Sequence, residues 1–508
     1  MRFFCISLLC LVFSIAAFAQ ISDEKFKFKG KFDFDNPAEK ILHYELFDNG
    51  EKLRLLGERS IQVWDVKNNK VLETRRHGIE NLWSAPFGGV SPDKSKFIVL
   101  GFEEKRKDLP KVEIPAKVYD ARTGKLLAVL DKTDKLVRAA LWSKNGKTLV
   151  TSSDEDFARH YGYRYTEGGE ILANSVGEIE VSFWDGENLE QRTSIKVSNL
   201  TWRYLSPDGE KLLTTSGPKR NMLGVDYASE KAATIDVWNT LTGKLEKQMP
   251  IGDETFFTRT RKMMVSPDGR TLAFILKSRK SDADDRMLIW DIYDANTAPK
   301  YTLKANPKID DSAVGYSPDG KLVALDSGKN AQFYEISTGA KKFEITGSEV
   351  PDFWFADNKV ALFDKSEKLV GVDIPSGKTL FEKEVFYRTE TRGLGTYMTD
   401  DKGNTMENTE TVVVDYTRVV PHPNNRFFIA YSNQSVRIYD ALSGNNLRSL
   451  VIPPPIITKK IKILKVIPMK YKDFGDNLVT RAEWSDDGKM ILILDAGQKA
   501  VSIWEMKE

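Results

Sequence analysis

A three-part phrase returns along this chain of 508 residues, clearest as Ser206-Pro-Asp-Gly209, then Val237-Trp-Asn239, then Thr242-Gly-Lys244. The phrase is a turn, a strand ending in an aromatic followed by an acid or amide, and a second turn. One copy is too short to bury its own apolar face. Copies must therefore stack on one another, which restricts the chain to a repeat architecture. Nine copies can be aligned, with first turns at Asp48-Asn-Gly50, Ser91-Pro-Asp93, Ser143-Lys-Asn-Gly146, Ser206-Pro-Asp-Gly209, Ser266-Pro-Asp-Gly269, Ser317-Pro-Asp-Gly320, Asp357-Asn358, Pro423-Asn-Asn425 and Ser485-Asp-Asp-Gly488.

The residue types suit their places. In a type I turn Ser caps the first position, Pro presets φ at the second and Gly closes the fourth. Short apolar runs follow, such as Thr271-Leu-Ala-Phe-Ile-Leu276 and Phe427-Phe-Ile-Ala-Tyr431, and read as buried strands. The second element ends in Trp64-Asp65, Tyr119-Asp120, Trp184-Asp185, Trp238-Asn239, Trp290-Asp291, Tyr334-Glu335, Val372-Asp373, Tyr439-Asp440 and Trp504-Glu505. The third is a glycine turn, as in Thr123-Gly-Lys125, Thr338-Gly339, Ser376-Gly-Lys378 and Ser443-Gly444. No helical periodicity of any length is present, so the chain is all-β.

Turn, strand, loop, aromatic strand, turn and strand together describe a four-stranded antiparallel blade. On these residues the chain resembles the WD-repeat β-propeller family over nearly its whole mature length, and the Ser-Pro-Asp-Gly emphasis is similar to the TolB-like propellers of bacterial envelopes. The resemblance departs from the WD pattern in two ways. The Gly-His dipeptide is absent, so that family's His-centred hydrogen-bond network does not carry over, and Val372 stands where one aromatic belongs. The expected architecture is a single closed β-propeller of nine blades over residues 20–508, with eight the rival count. The chain stops one strand short of a blade at Ala500-Val-Ser-Ile-Trp-Glu505, while Lys25-Phe-Lys-Phe-Lys-Gly-Lys-Phe-Asp-Phe34 is an alternating strand with no other home. Pairing the two completes the last blade and removes two exposed edges. The ten tryptophans fall on third strands (Trp64, Trp184, Trp238, Trp290, Trp504) or first strands (Trp83, Trp142, Trp202, Trp354, Trp484), where packing between blades accounts for them.

The first 19 residues carry Arg2, an apolar stretch from Phe3 to Phe13 and a small-x-small site at Ala17-Phe-Ala19, the three regions of a secretory signal peptide. Both cysteines, Cys5 and Cys10, lie inside it, so the mature chain is expected to have no disulfide and no thiolate metal site. The reading is a periplasmic or extracellular protein without a transmembrane segment in its mature part. With 75 basic and 73 acidic residues, general attraction to nucleic acid is not expected.

Function should then lie where the phrase is interrupted. In an antiparallel blade the first-to-second and third-to-fourth turns share one end; second-to-third loops and blade-to-blade connections share the other. The long insertions, Glu103–Ala116, Asp154–Glu178, Pro218–Ala232, Arg279–Arg286, Tyr387–Glu410 and Pro453–Asp476, all belong to the second end. The richest is Asp154–Glu178. Its Arg159, His160, Tyr161, Tyr163, Arg164 and Tyr165 have the composition of a protein-binding hot spot, and would equally suit stacking on a carbohydrate or packing on a neighbouring blade. Lys459-Lys-Ile-Lys-Ile-Leu-Lys-Val466 alternates charged and apolar residues as an edge strand with lysines in solvent does. Catalytic signals are sparse. The four histidines, His43, His77, His160 and His422, lie in different copies, and no HExxH spacing, Gly-x-Ser-x-Gly elbow or phosphate-binding loop occurs. Asp282-Ala-Asp-Asp-Arg286 lacks the glycine of a calcium loop. The expectation is a non-enzymatic scaffold that binds a protein or envelope component without cofactor or metal. The rival is a channel-centred enzyme, a metal-assisted hydrolase or lyase acting on a sugar or lactone.

Overall fold

The computed structural model describes residues 26–36, 39–76, 87–104, 112–130, 136–153, 170–172, 178–198, 200–216, 234–250, 256–257, 263–278, 286–304, 314–326, 330–346, 353–354, 359–365, 368–384, 388–399, 405–415, 418–432, 435–450, 479–495 and 497–507. These contain strands and turns and no helix. They form nine four-stranded antiparallel blades of a β-propeller. Blade 1 takes Ile41–Phe47, Lys52–Gly57, Ser60–Asp65 and Lys70–Arg76 in that spatial order. The first strands of blades 2 to 9 begin at Phe87, Val137, Leu200, Met263, Val314, Phe353, Arg418 and Val479. Two compact units result, one taking the chain up to Thr74 together with Lys359 onward, the other Arg75–Asn358.

In the first unit, the ninth blade is built from both ends of the described chain. Phe26–Asp33 runs antiparallel to Ala500–Met506, from Phe26 opposite Met506 to Asp33 opposite Ala500, with a bulge between Phe28 and Gly30. The bulge lets the strand serve two neighbours. Phe26 packs with blade 8 residues such as Ile429 and Ile438. Beyond it Phe32 and Phe34 pack with Tyr44, Leu55 and Trp64 of blade 1. The Phe32 ring meets Trp64 edge-on at 5.5 Å, and Phe32 is fully buried.

The first turns that begin with serine are small hydrogen-bonded devices. Ser206 Oγ donates to Asp208 and accepts from the Lys211 amide at 2.9 Å, while the Gly209 amide donates to the Ser206 carbonyl at 2.8 Å. Ser91, Ser143, Ser266, Ser317 and Ser485 each make the same pair of side-chain bonds. In blade 8 His422 takes the serine's place. Its Nδ1 accepts from the Asn424 amide at 3.0 Å and its Nε2 lies 2.9 Å from the Gly488 carbonyl of blade 9. The ring packs edge-on against Trp484 at 4.5 Å.

The glycine that closes the first turn of blades 4 and 5 has a second duty. Gly269 has φ +73°, and a Cβ there would lie 2.4 Å from Pro207 Cδ in the turn of the preceding blade. At Gly209, with φ +75°, a Cβ would lie 2.7 Å from Thr148 Oγ1. At these two turns the glycine of one blade leaves room for the preceding blade.

The tryptophans fall where the repeat placed them, apart from Trp83, which lies outside the described residues. Trp184, Trp290 and Trp504 are fully buried, and Trp184 Nε1 donates to Thr151 Oγ1 at 2.8 Å. Val372, in the aromatic's place, is also fully buried.

Candidate binding surface

Two chemically distinct ends of the blades follow from the strand order. At the short-turn end the acids of the phrase accept hydrogen bonds from their own turns. Asp120 Oδ1 takes the Thr123 amide at 2.6 Å and the Thr123 hydroxyl at 2.7 Å; Asp440 and Ser443 repeat the pattern, and Asn239 with Thr242 does so with an amide. Some bonds also cross between blades. In the second unit Asp208 of blade 4 accepts from Tyr293 Oη of blade 5 at 2.8 Å, and Asn145 Nδ2 of blade 3 donates to the Asp208 carbonyl at 2.7 Å. Partial burial works to raise the Asp208 carboxyl, but bonds from Ser206, the Glu210 amide and Tyr293 outweigh it and hold the group below its ordinary range. Asp93, Asp120, Asp185, Asp319, Asp440 and Asp487 are lowered by the same balance. Burial, and then the bond to Asp208, raise the Tyr293 hydroxyl.

At the insertion end of the first unit, short connections are sealed by buried carboxylates. Glu39 Oε1 accepts from the Arg59 amide at 2.8 Å and the Ser60 amide at 2.7 Å, closing the tight turn of blade 1. Asp495 Oδ1 accepts from the Lys499 amide at 2.6 Å and does the same for blade 9. Close by, burial lowers the Lys31 ammonium against the pull of Asp495 and Asp33, and burial raises Asp33. These groups serve turns. Among the described residues no three His, Cys, Asp or Glu side chains converge as a metal site. His422 belongs to a turn, His43 lies half-buried on the first strand of blade 1, and His77 and His160 lie outside the described residues.

Three of the insertions contain strands where the sequence suggested loops. In blade 2 Phe102–Glu104 pairs with Val112–Ile114 as a hairpin. In blade 3 the insertion after Ser153 sends Glu170–Leu172 onto the next blade, where it pairs antiparallel with Leu200–Leu205 and gives blade 4 a fifth strand. Between blades 7 and 8, Arg388–Thr399 and Thr405–Asp415 form a long two-stranded ribbon. Arg159, His160, Tyr161, Tyr163, Arg164 and Tyr165 lie outside the described residues, as do 217–233 and 451–478 with Lys459–Val466. The Glu170–Leu172 anchor was missed because three residues are too few for a periodicity to register. The ribbon had a readable signal: Asp401-Lys-Gly-Asn404 is a turn sequence between two Thr-rich runs.

No family model matches the chain, and no curated protein matches it. Among solved structures, one described as the crystal structure of the eukaryotic initiation factor aligns with a TM-score of 0.48 at 11% identity, over 84% of this chain and 88% of that one. The crystal structure of BamB from Moraxella catarrhalis aligns with a TM-score of 0.39 at 9% identity, over 95% of this chain and all of that one. Among the described residues no helix is long and apolar enough to cross a membrane.

Proposed function

We propose that this chain is an exported, non-enzymatic β-propeller, akin to the WD-repeat and TolB-like propellers its repeats resemble, that binds a protein or envelope component through its insertion end. One observation carries the reading. Short turns bond neighbouring blades to one another, whereas the long interruptions fall in second-to-third loops and blade-to-blade connections, and three of these interruptions carry strands beyond the blade core. Extra strands raised on a rigid scaffold are how such folds present recognition surfaces. The segment before Gln20 has the pattern of a signal peptide, which supports action in the periplasm or outside the cell.

The test is capture from envelope extracts with the purified mature chain as bait, compared with a variant in which residues 154–177 are replaced by a short glycine linker. The strand Glu178–Asp185 is left intact by that boundary. The variant should melt cooperatively like the parent and lose partners. Undiminished capture after all the long insertions have been shortened would sink the proposal. Hydrolase or lyase turnover of a sugar or lactone by the purified chain, dependent on added metal, would replace it with the enzymatic reading.

A further inference from the structure

Blade 4 is complete in Leu200–Leu205, Lys211–Ser216, Thr234–Asn239 and Leu245–Pro250, yet it carries a fifth strand that its own repeat does not supply. That strand is Glu170–Leu172, from the insertion between Thr148–Ser153 and Glu178–Asp185 of blade 3. Its backbone register is defined: Glu170 lies opposite Tyr204, Ile171 opposite Arg203 and Leu172 opposite Trp202. Both blades belong to the second compact unit.

The edge it takes is the inner one. In this unit the fourth strands Leu126–Leu130, Leu245–Pro250 and Lys341–Thr346 each begin with two exposed residues and form the outer rim. Leu200–Leu205 stands at the opposite side of blade 4 from Leu245–Pro250, and Glu170–Leu172 lies beyond it. The added strand also reaches far along that edge. Leu200–Leu205 runs into the turn that opens at Ser206, and Glu170 faces Tyr204, two residues short of that turn. The insertion thus leaves blade 3 at one end and meets blade 4 close to the other. This third anchor divides it into sixteen residues (154–169) and five (173–177). Two loops held at both ends have fewer conformations than one of their combined length, so less entropy is lost when a partner orders them.

We propose that Glu170–Leu172 is a clasp that fixes the blade 3 insertion against the inner edge of blade 4, so that the surface offered to a protein partner spans both blades. This rests on the scaffold reading above and assigns its surface to the seam of blades 3 and 4 instead of to blade 3 alone. Backbone hydrogen bonds hold an added strand, so the clasp sets position without demanding particular side chains. Three residues suffice because the tether to blade 3 keeps the strand at high local concentration beside its edge.

Residues 20–508 contain no cysteine, so an Ile171→Cys/Arg203→Cys pair reports on the clasp alone. Mild oxidation should join the two, as read by non-reducing peptide mapping, because Cβ atoms directly opposed across an antiparallel pair lie about 4.5–5.5 Å apart. Consecutive amides of a strand point to opposite edges, so one proline of Ile171→Pro/Leu172→Pro removes a bond to Leu200–Leu205. That variant should melt like the parent and capture partner from envelope extracts several-fold less well. Ile171→Ala/Leu172→Ala keeps both amides and should capture like the parent, as should the oxidised cysteine pair. Absence of the disulfide would overturn the clasp. Full capture by the proline variant, an equal loss in the alanine variant, or capture by the cysteine pair only after reduction would overturn its positioning role. If replacing residues 154–177 by the glycine linker abolishes capture while the proline variant retains it, the clasp alone fails. If both variants retain capture, the insertion is not the partner's site and the scaffold reading loses it too.

Discussion

At the scale of single residues, the Ser-Pro-Asp-Gly turn works both within a blade and between blades. Two substitutions separate these duties. At Gly269 both a positive φ and contact with Pro207 demand the absence of a Cβ. Gly269→Ala should cost about 2 kcal/mol or more, combining left-handed strain with displacement of the neighbouring turn, and should lower the melting temperature clearly. In blade 2 the same position is Lys94, with φ +59°. Lys94→Gly should stabilise by about 1 kcal/mol, because the backbone cost of a side chain in that region disappears. A lower melting temperature for Lys94→Gly would show that the lysine's contacts outweigh its strain. Leu189, with φ +63°, occupies the place that glycine takes in the third-to-fourth turns of other blades, its amide bonding the Asp185 carbonyl as Gly243 bonds Asn239. There the compensation is visible, since Leu189 is buried beside Leu149 and Trp184. Burial of a leucine, worth about 1.5–3 kcal/mol, exceeds the strain.

At the scale of elements, the strand Phe26–Asp33 is the piece on which blade 9 depends. It covers the edge of Ala500–Met506 and seals apolar surface on both neighbouring blades through Phe26, Phe32 and Phe34. Removing residues 20–34 should uncover that edge and leave Trp504 and Trp64 short of partners. The expected outcome is aggregation during purification, or a melting temperature lower by well over ten degrees, with increased dye binding to exposed apolar surface. A truncated chain that is monomeric and melts like the parent would contradict this role. The alternation of Lys25–Phe34 was enough to assign this strand. The ribbon and the Glu170–Leu172 strand were not assigned, because polar Thr/Glu strands and three-residue strands lack an apolar alternation and are decided by available backbone partners.

At the scale of the whole molecule, the repeated carboxylates make stability depend on acid. Asp93, Asp120, Asp185, Asp208, Asp319, Asp440 and Asp487 sit below their ordinary value of 3.8 when folded. A depressed folded value means that the stabilisation is present above the unfolded value and is lost as pH falls through the folded one. Melting temperature should therefore hold steady from neutral pH to about 5 and fall below about 4. Asp33, raised by burial, works in the opposite sense but is a single group. Tyr293→Phe removes the Asp208 bond between blades and should lower the melting temperature modestly at neutral pH, with the difference shrinking below about pH 4. A melting temperature that rises on acidification below pH 4 would contradict this account.

What the sequence alone determined is what repetition determines: the all-β class, nine copies of a four-stranded unit, the turn chemistry and the strand that completes the last blade. These are local or periodic properties, written nine times over, and each copy corrects the reading of the others. Tertiary structure decided what occurs once. That His422 stands in for a serine depends on the carbonyl of Gly488 beside it. That an insertion of blade 3 lends a strand to blade 4 depends on which edge lies within reach. Contacts between distant parts of the chain have no period, so the sequence carries no second copy from which to read them.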